Sequence, residues 1–503
     1  MGLRLGLIVV VILLACTIWT VSGAPDLSYF IEVQRNGNAS VTLVVTDSRG
    51  SRFYTYLPRF EKWNYTVWSG QLLNITEKET QYYFYKNVSF SYITNEAGSF
   101  GMNVSYMFPF ASLCIGDRGW FMSPLLGAPP EAYVKIQVKI SGLAKILDVS
   151  LNDALVRYRS SGENIWIDAS SQGLATGGRV VVNYRLSEPI ADEVFEFSFN
   201  GVVTKVRSPP LYRGFAGTIF NVTSLALPKL SQHLGYAVNA VEFEFFLPAQ
   251  LGLSALGYVI GEDINVGGEG AIHLNLALLR FKEGYLEATV VHELVHKALG
   301  AAGIPANQEL RWFHEGVAQY VSLRVCRELG LDVSDEESSL ENAIWMFKQG
   351  LVKPGFVQRW APSGDESSYY TASYYIVSEL AKSRGEMNFI EAVVREIKKR
   401  GGVKNNQELV DAISSAAEED LYPLFAEWGF SIERPAKTPA NITIVAALAL
   451  IMAVAFSLYI ILKQREHAKC PYCYAEIPRD AVYCPYCAYP LKPTEDGGPN
   501  LSN

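Results

Sequence analysis

Residues 292 to 315 read His292-Glu293-Leu294-Val295-His296, then eighteen residues, then Glu315 inside Trp312-Phe313-His314-Glu315-Gly316-Val317-Ala318. Two histidines four apart project from the same side of a helix, one turn apart, so both imidazoles reach one metal ion. Glu293, beside the first histidine, faces a water on that ion. Glu315 completes the ligand set only if a second helix folds back onto the first. The local pattern agrees: 286 to 299 is an apolar-rich run closed by Gly300, and 308 to 329 follows a cap at Asn307 and ends at Gly330. Two helices joined by a short Gly/Pro turn are therefore expected to meet at one ion.

These residues resemble the ligand stretch of the gluzincin metallopeptidases, the thermolysin and aminopeptidase N superfamily. The eighteen-residue gap and the Trp-Phe-x-Glu-Gly-x-Ala wording are most similar to aminopeptidase N and its peptidase MA-like relatives. The resemblance implies an α+β, thermolysin-like catalytic domain in which His292, His296 and Glu315 hold a catalytic zinc and Glu293 is the general base. It also implies a tyrosine beyond the second ligand helix as hydrogen-bond donor to the oxyanion. In the run 369 to 375, Tyr370 is the first choice and Tyr374 the second. Ala271-Ile272-His273 stands where the superfamily places the edge strand that binds extended peptide through its main chain. The Gly-x-Met-Glu-Asn signature that recognises a free amino terminus is missing, and Glu269 in Gly267-Gly268-Glu269-Gly270 is the acidic residue nearest that position. Attack at chain ends and attack within chains both stay open.

Two neutral imidazoles and one carboxylate leave zinc a net positive charge and an open fourth position, where water is acidified toward a pKa of about 7. Glu293 then takes the water's proton and passes it to the leaving amine. His314 points about 100 degrees away from Glu315 on the same helix, which places it beside the ligands or toward substrate rather than among them. Gln319, one turn beyond Glu315, either orients a ligand or lies on the surface.

With 503 residues, 49% hydrophobic and 19% charged, the chain can bury two or three cores and is not disordered. A net charge of −8 without a basic stripe excludes nucleic acid as an expected partner.

Two apolar segments suggest a topology. Residues 5 to 21, behind Arg4 and ending near Val21-Ser22-Gly23-Ala24, have the form of a secretory signal or N-terminal anchor, so 1 to 24 is set apart. The uncharged run 442 to 462 is expected to be one transmembrane helix. Lys463, Arg465 and Lys469 follow it, against Arg434 and Lys437 before it, which places the tail in the cytoplasm and the catalytic part outside the cell membrane. Sequons at Asn38, Asn64, Asn74, Asn87, Asn103, Asn221 and Asn441 agree with export. In the tail, Cys470-Pro471-Tyr472-Cys473 and Cys484-Pro485-Tyr486-Cys487 are near-identical knuckles, a tetrathiolate pattern for a second, structural zinc. Cys114 and Cys326 are free or paired, and Cys16 belongs to the signal segment.

The front half alternates as β structure, strictly so from Val134 to Ile140 and again from Phe195 to Phe199. The expected fold is multidomain: a β-sandwich-like domain or paired β-domains over 25 to 206, then a metallopeptidase domain over 207 to 432 with a helical C-terminal part. A linker (433 to 441), the span (442 to 462) and a tail (463 to 503) with a small zinc ribbon at 470 to 487 complete it. The expected function is a membrane-anchored zinc peptidase acting on peptide or protein, with a cytosolic protein partner for the ribbon. The alternative is a catalytically silent cell-surface binding or sensor protein of the same fold.

Overall fold

A computed structural model describes residues 25–48, 50–248, 255–281, 284–361, 366–434, 440–464 and 467–491. The expected signal segment, Cys16 with it, and linker residues 435 to 439 lie outside the described residues.

The chain divides into two compact units, one ending at Ile432 and one beginning at Glu433. Within the first, the expected alternation is realised. Val134, Ile136, Val138 and Ile140 are buried while the residues between them stand outward, so one face of the strand meets a core and the other meets water. That strand belongs to a seven-stranded sheet with the spatial order Tyr158–Ser161, Asn164–Ala169, Tyr133–Ile140, Asp26–Val33, Ala39–Asp47, Phe100–Phe108 and Trp63–Ser69. A three-stranded sheet (Arg52–Pro58, Tyr85–Ile93, Gln71–Lys78) and a four-stranded sheet (Ala154–Leu155, Leu143–Leu151, Val180–Ile190, Ser112–Met122) share its hydrophobic core.

The boundary expected at 206/207 is displaced. Glu193–Phe199 and Val202–Ser208 form a hairpin that leaves the front sheets and joins Ala240–Phe245, Ala271–Leu274 and Gly257–Val259 in a five-stranded sheet. The physical reason is the crossover that follows. Val202–Ser208 and Ala240–Phe245 pair in parallel, which requires a connection such as the helix Arg213–Leu234 between them. Trp120, Phe195, Val206 and Phe243 lie in one core, so the two expected domains are parts of one unit.

The helix Tyr285–Ala301 is the centre of that core. Val290, Val291, Leu294, Val295 and Leu299 are all fully buried, which leaves it hardly any solvent face. Arg311–Glu328 packs beside it and is anchored by Trp312, whose indole N–H donates to Asn406 Oδ1 at 2.7 Å. Among the described residues of this unit, the α-helices that follow are Ser334–Ala343, Trp345–Lys348, Glu366–Lys382, Met387–Arg400, Asn406–Ala417 and Tyr422–Glu427.

Gly316 lets Arg311–Glu328 and Glu366–Lys382 approach closely, because a Cβ there would meet the Ser373 carbonyl oxygen at 2.4 Å. Alanine gains helix propensity worth about 1 kcal/mol. Against backbone that cannot turn aside, overpacking costs roughly 1–3 kcal/mol, and the clash wins. Gly316→Ala is therefore expected to lower the thermal midpoint in a denaturation scan. A midpoint at or above wild type would show that the two helices are not in contact there.

The second unit holds the helix Ala440–Gln464 and the strands His467–Lys469 and Glu476–Pro478. The expected transmembrane span is corrected here: among the described residues no helix is long and apolar enough to cross a membrane. Over 446 to 460 every side chain of this helix is exposed. The orientation argued from that span, with the catalytic part outside the cell membrane and the tail in the cytoplasm, falls with it.

Candidate metal centre

His292 and His296 stand one turn apart with ring centroids 4.8 Å from each other. Glu315, from the second helix, brings its Oε2 to 3.4 Å from each Nε2. Bonds of about 2.0–2.1 Å at a tetrahedral ion place neighbouring ligand atoms about 3.3–3.4 Å apart. The three residues expected as ligands thus come together and can hold a metal ion. Burial pushes Glu315 up, but the two imidazoles outweigh it and hold the carboxyl well below its usual range. Burial likewise opposes a charge on His296, and the Glu315 carboxylate overcomes it and raises the imidazole. Here a carboxylate attracts protons onto its neighbours, or a cation in their place.

Glu293 is 4% exposed, and burial raises its carboxyl above the ordinary value. Its Oε2 is buried with no hydrogen-bond partner, which leaves one oxygen free to accept a proton beside the ligands. The other oxygen sits against Gly257, where a Cβ would lie 3.0 Å from Oε1.

That contact identifies the sheet edge at the site and corrects the sequence reading. Ala271, Ile272 and His273 lie on an internal strand, parallel to Ala240–Phe245 on one side and antiparallel to Gly257–Val259 on the other. Among the described residues the edge is Gly257–Val259. A three-residue strand beginning with glycine carries no alternation to betray it. His273 stacks its ring on Tyr258 at 4.7 Å.

His314, expected beside the ligands or toward substrate, is buried at their backs. Its Nδ1 lies 3.4 Å from His296 Nδ1 and its Nε2 lies 3.0 Å from the Ile304 carbonyl. A carbonyl only accepts, so His314 carries its proton on Nε2 and its Nδ1 accepts from His296. Burial, with His296 adding to it, keeps His314 neutral by lowering it to about 4. This arrangement fixes the tautomer of His296 that leaves Nε2 bare for an ion. Gln319 instead donates to Glu336 at 2.6 Å.

Of the two tyrosines, Tyr370 feels the charges of Glu315, Arg311 and Glu366, whereas Tyr374 feels those of Glu341, Glu337 and Arg324. The Arg311 Nη2 donates to the Tyr370 hydroxyl at 3.3 Å. The sequence reading passed over Arg311, although its place one turn before Glu315 was a usable signal. Trp360, which lies under Arg311 at 4.5 Å, offered none.

The four tail cysteines form a second cluster that can hold a metal ion. Sulfurs of Cys470 and Cys487 are 3.8 Å apart, and those of Cys473 and Cys484 are 3.6 Å apart. Metal–sulfur bonds of about 2.3 Å at a tetrahedral centre imply about 3.8 Å. The knuckles repeat one backbone design: Cys470 and Cys484 each donate to the carbonyl five residues on, and Tyr474 and Ala488 each adopt φ near +60°. Cys114 and Cys326 are both free and buried.

No family model matches the chain, and no curated protein matches it.

Proposed function

We propose that this chain is a zinc-dependent peptidase of gluzincin type, with a second, structural zinc in the cysteine cluster. One observation carries the reading. A carboxylate lies at tetrahedral spacing from each of two imidazoles, beside a second, buried carboxylate that has one oxygen without a partner. The donor set and that orphaned oxygen fit a four-coordinate ion with one position left for water. When bound, zinc supplies Lewis acidity and brings a water toward ionisation near neutral pH, at a pKa of about 7.

The chain's own residues supply the rest. Gly257–Val259 presents a sheet edge with no strand beyond it among the described residues, on which an extended peptide adds as a further strand. Gly257 abuts Glu293, so a peptide on this edge carries its scissile carbonyl past the base. Glu293 accepts the attacking water's proton and returns it to the departing amine. Tyr370 donates a hydrogen bond to the carbonyl oxygen as negative charge develops on it.

The test is turnover of a peptide library with blocked and unblocked termini by the full chain. We expect cleavage that stops when a chelator strips the metal and returns when zinc is added. Metal binding at His292, His296 and Glu315 without cleavage of any peptide would overturn the proposal and leave a silent binding protein. The cleavage pattern also separates attack at chain ends from attack within chains.

A further inference from the structure

Arg311 lies one turn before Glu315 and touches several groups at once. Its Nε is 3.6 Å from Glu315 Oε1, the oxygen that the two imidazoles do not share. Its Nη2 is 3.3 Å from the Tyr370 hydroxyl and 3.9 Å from Glu366 Oε1. The guanidinium rests on the fully buried ring of Trp360, against which Tyr370 also stands edge-on, at 5.3 Å. One indole therefore supports both the cation and the phenol.

A guanidinium has five N–H donors and no acceptor. In its bond to Tyr370 the phenol oxygen must accept, so the phenol's own proton is left to donate elsewhere. At Glu315, a cation beside Oε1 leaves Oε2 to face an ion alone. We propose that Arg311 is a positioning residue that holds Glu315 to one-oxygen coordination and sets the Tyr370 hydroxyl as a donor to the substrate carbonyl. This rests on the peptidase reading above and adds to it a coupling between a metal ligand and the oxyanion donor. The planar fork is what the role requires, since a point charge on a flexible stem cannot fix two partners at once.

The test compares Arg311→Met, which keeps an unbranched stem over Trp360, with Tyr370→Phe and the double variant, all as full chains loaded with zinc. Loss of one oxyanion donor lowers kcat about 10²- to 10³-fold. We expect Arg311→Met to lower kcat at least tenfold, with KM within about twofold of wild type. The double variant should be no slower than the slower single variant, because both changes disable one device. Zinc affinity of the His292, His296 and Glu315 site, titrated against a chelator, should fall about tenfold while the cysteine site is unchanged. Losses that multiply in the double variant would overturn the coupling, and unchanged zinc affinity would overturn the grip on Glu315. If the wild-type chain cleaves no peptide, the peptidase reading fails by itself, and the zinc titration still decides whether Arg311 positions Glu315.

Discussion

Replacing Glu293 with glutamine is expected to abolish peptide turnover while zinc stays bound and the fold is kept. The side chains are nearly the same shape, so the close fit against Gly257 survives. Glu293 does not share in the ligand cluster, so affinity for the ion has no reason to collapse. What disappears is basicity, since an amide cannot take up the proton of the attacking water. Positioned acid–base groups contribute about 10²- to 10⁴-fold to rate, so kcat should fall by at least that range while KM stays near wild type. Stability should not suffer, because a neutral amide is cheaper to bury than a carboxylate whose titration burial has already raised. Steady-state kinetics, bound-zinc analysis and a thermal scan on the same preparation check the three parts. A variant that keeps more than a tenth of wild-type kcat would remove Glu293 from the chemistry.

Local periodicity made part of this molecule legible. Helical spacing placed His292 and His296 on one face, and strict alternation marked Val134 to Ile140 and Phe195 to Phe199 as strands. Which sheet a strand joins is not a local property. Phe195–Phe199 reads as well for one sheet as for another, and the parallel crossover after Ser208 decided the matter. The edge strand was hidden for the same reason, since Gly257–Val259 gains its identity from pairing with Ala271–Leu274. The Arg311–Tyr370–Trp360 group depends on helices packed through Gly316, a tertiary fact that no window of sequence contains. The run 442 to 462 shows the reverse error. Its apolar character is plain, yet among the described residues no helix is long and apolar enough to cross a membrane.

Removing metal from the cysteine cluster is expected to unfold the segment around it without disturbing the first unit. Residues 467–491 hold two three-residue strands and a core of Cys470, Ile477 and Cys484, with Leu491 against it. One isoleucine and half a leucine cannot offset the backbone entropy of ordering this stretch, at about 1–2 kcal/mol per residue. Structural zinc in comparable small domains supplies an apparent 10–16 kcal/mol, which is folding free energy outright. The positive φ at Tyr474 and Ala488 points the same way, because non-glycine residues hold such angles only where surrounding bonds enforce them. Cys484→Ser should therefore reduce bound zinc from two ions per chain to one and erase amide protection over 467–491. The cluster at His292, His296 and Glu315 lies in the other compact unit, so its zinc and its peptide turnover should persist. Hydrogen exchange read by mass spectrometry distinguishes the outcomes. Protection that survives in Cys484→Ser would mean the segment folds without metal and the four sulfurs converge for some other reason.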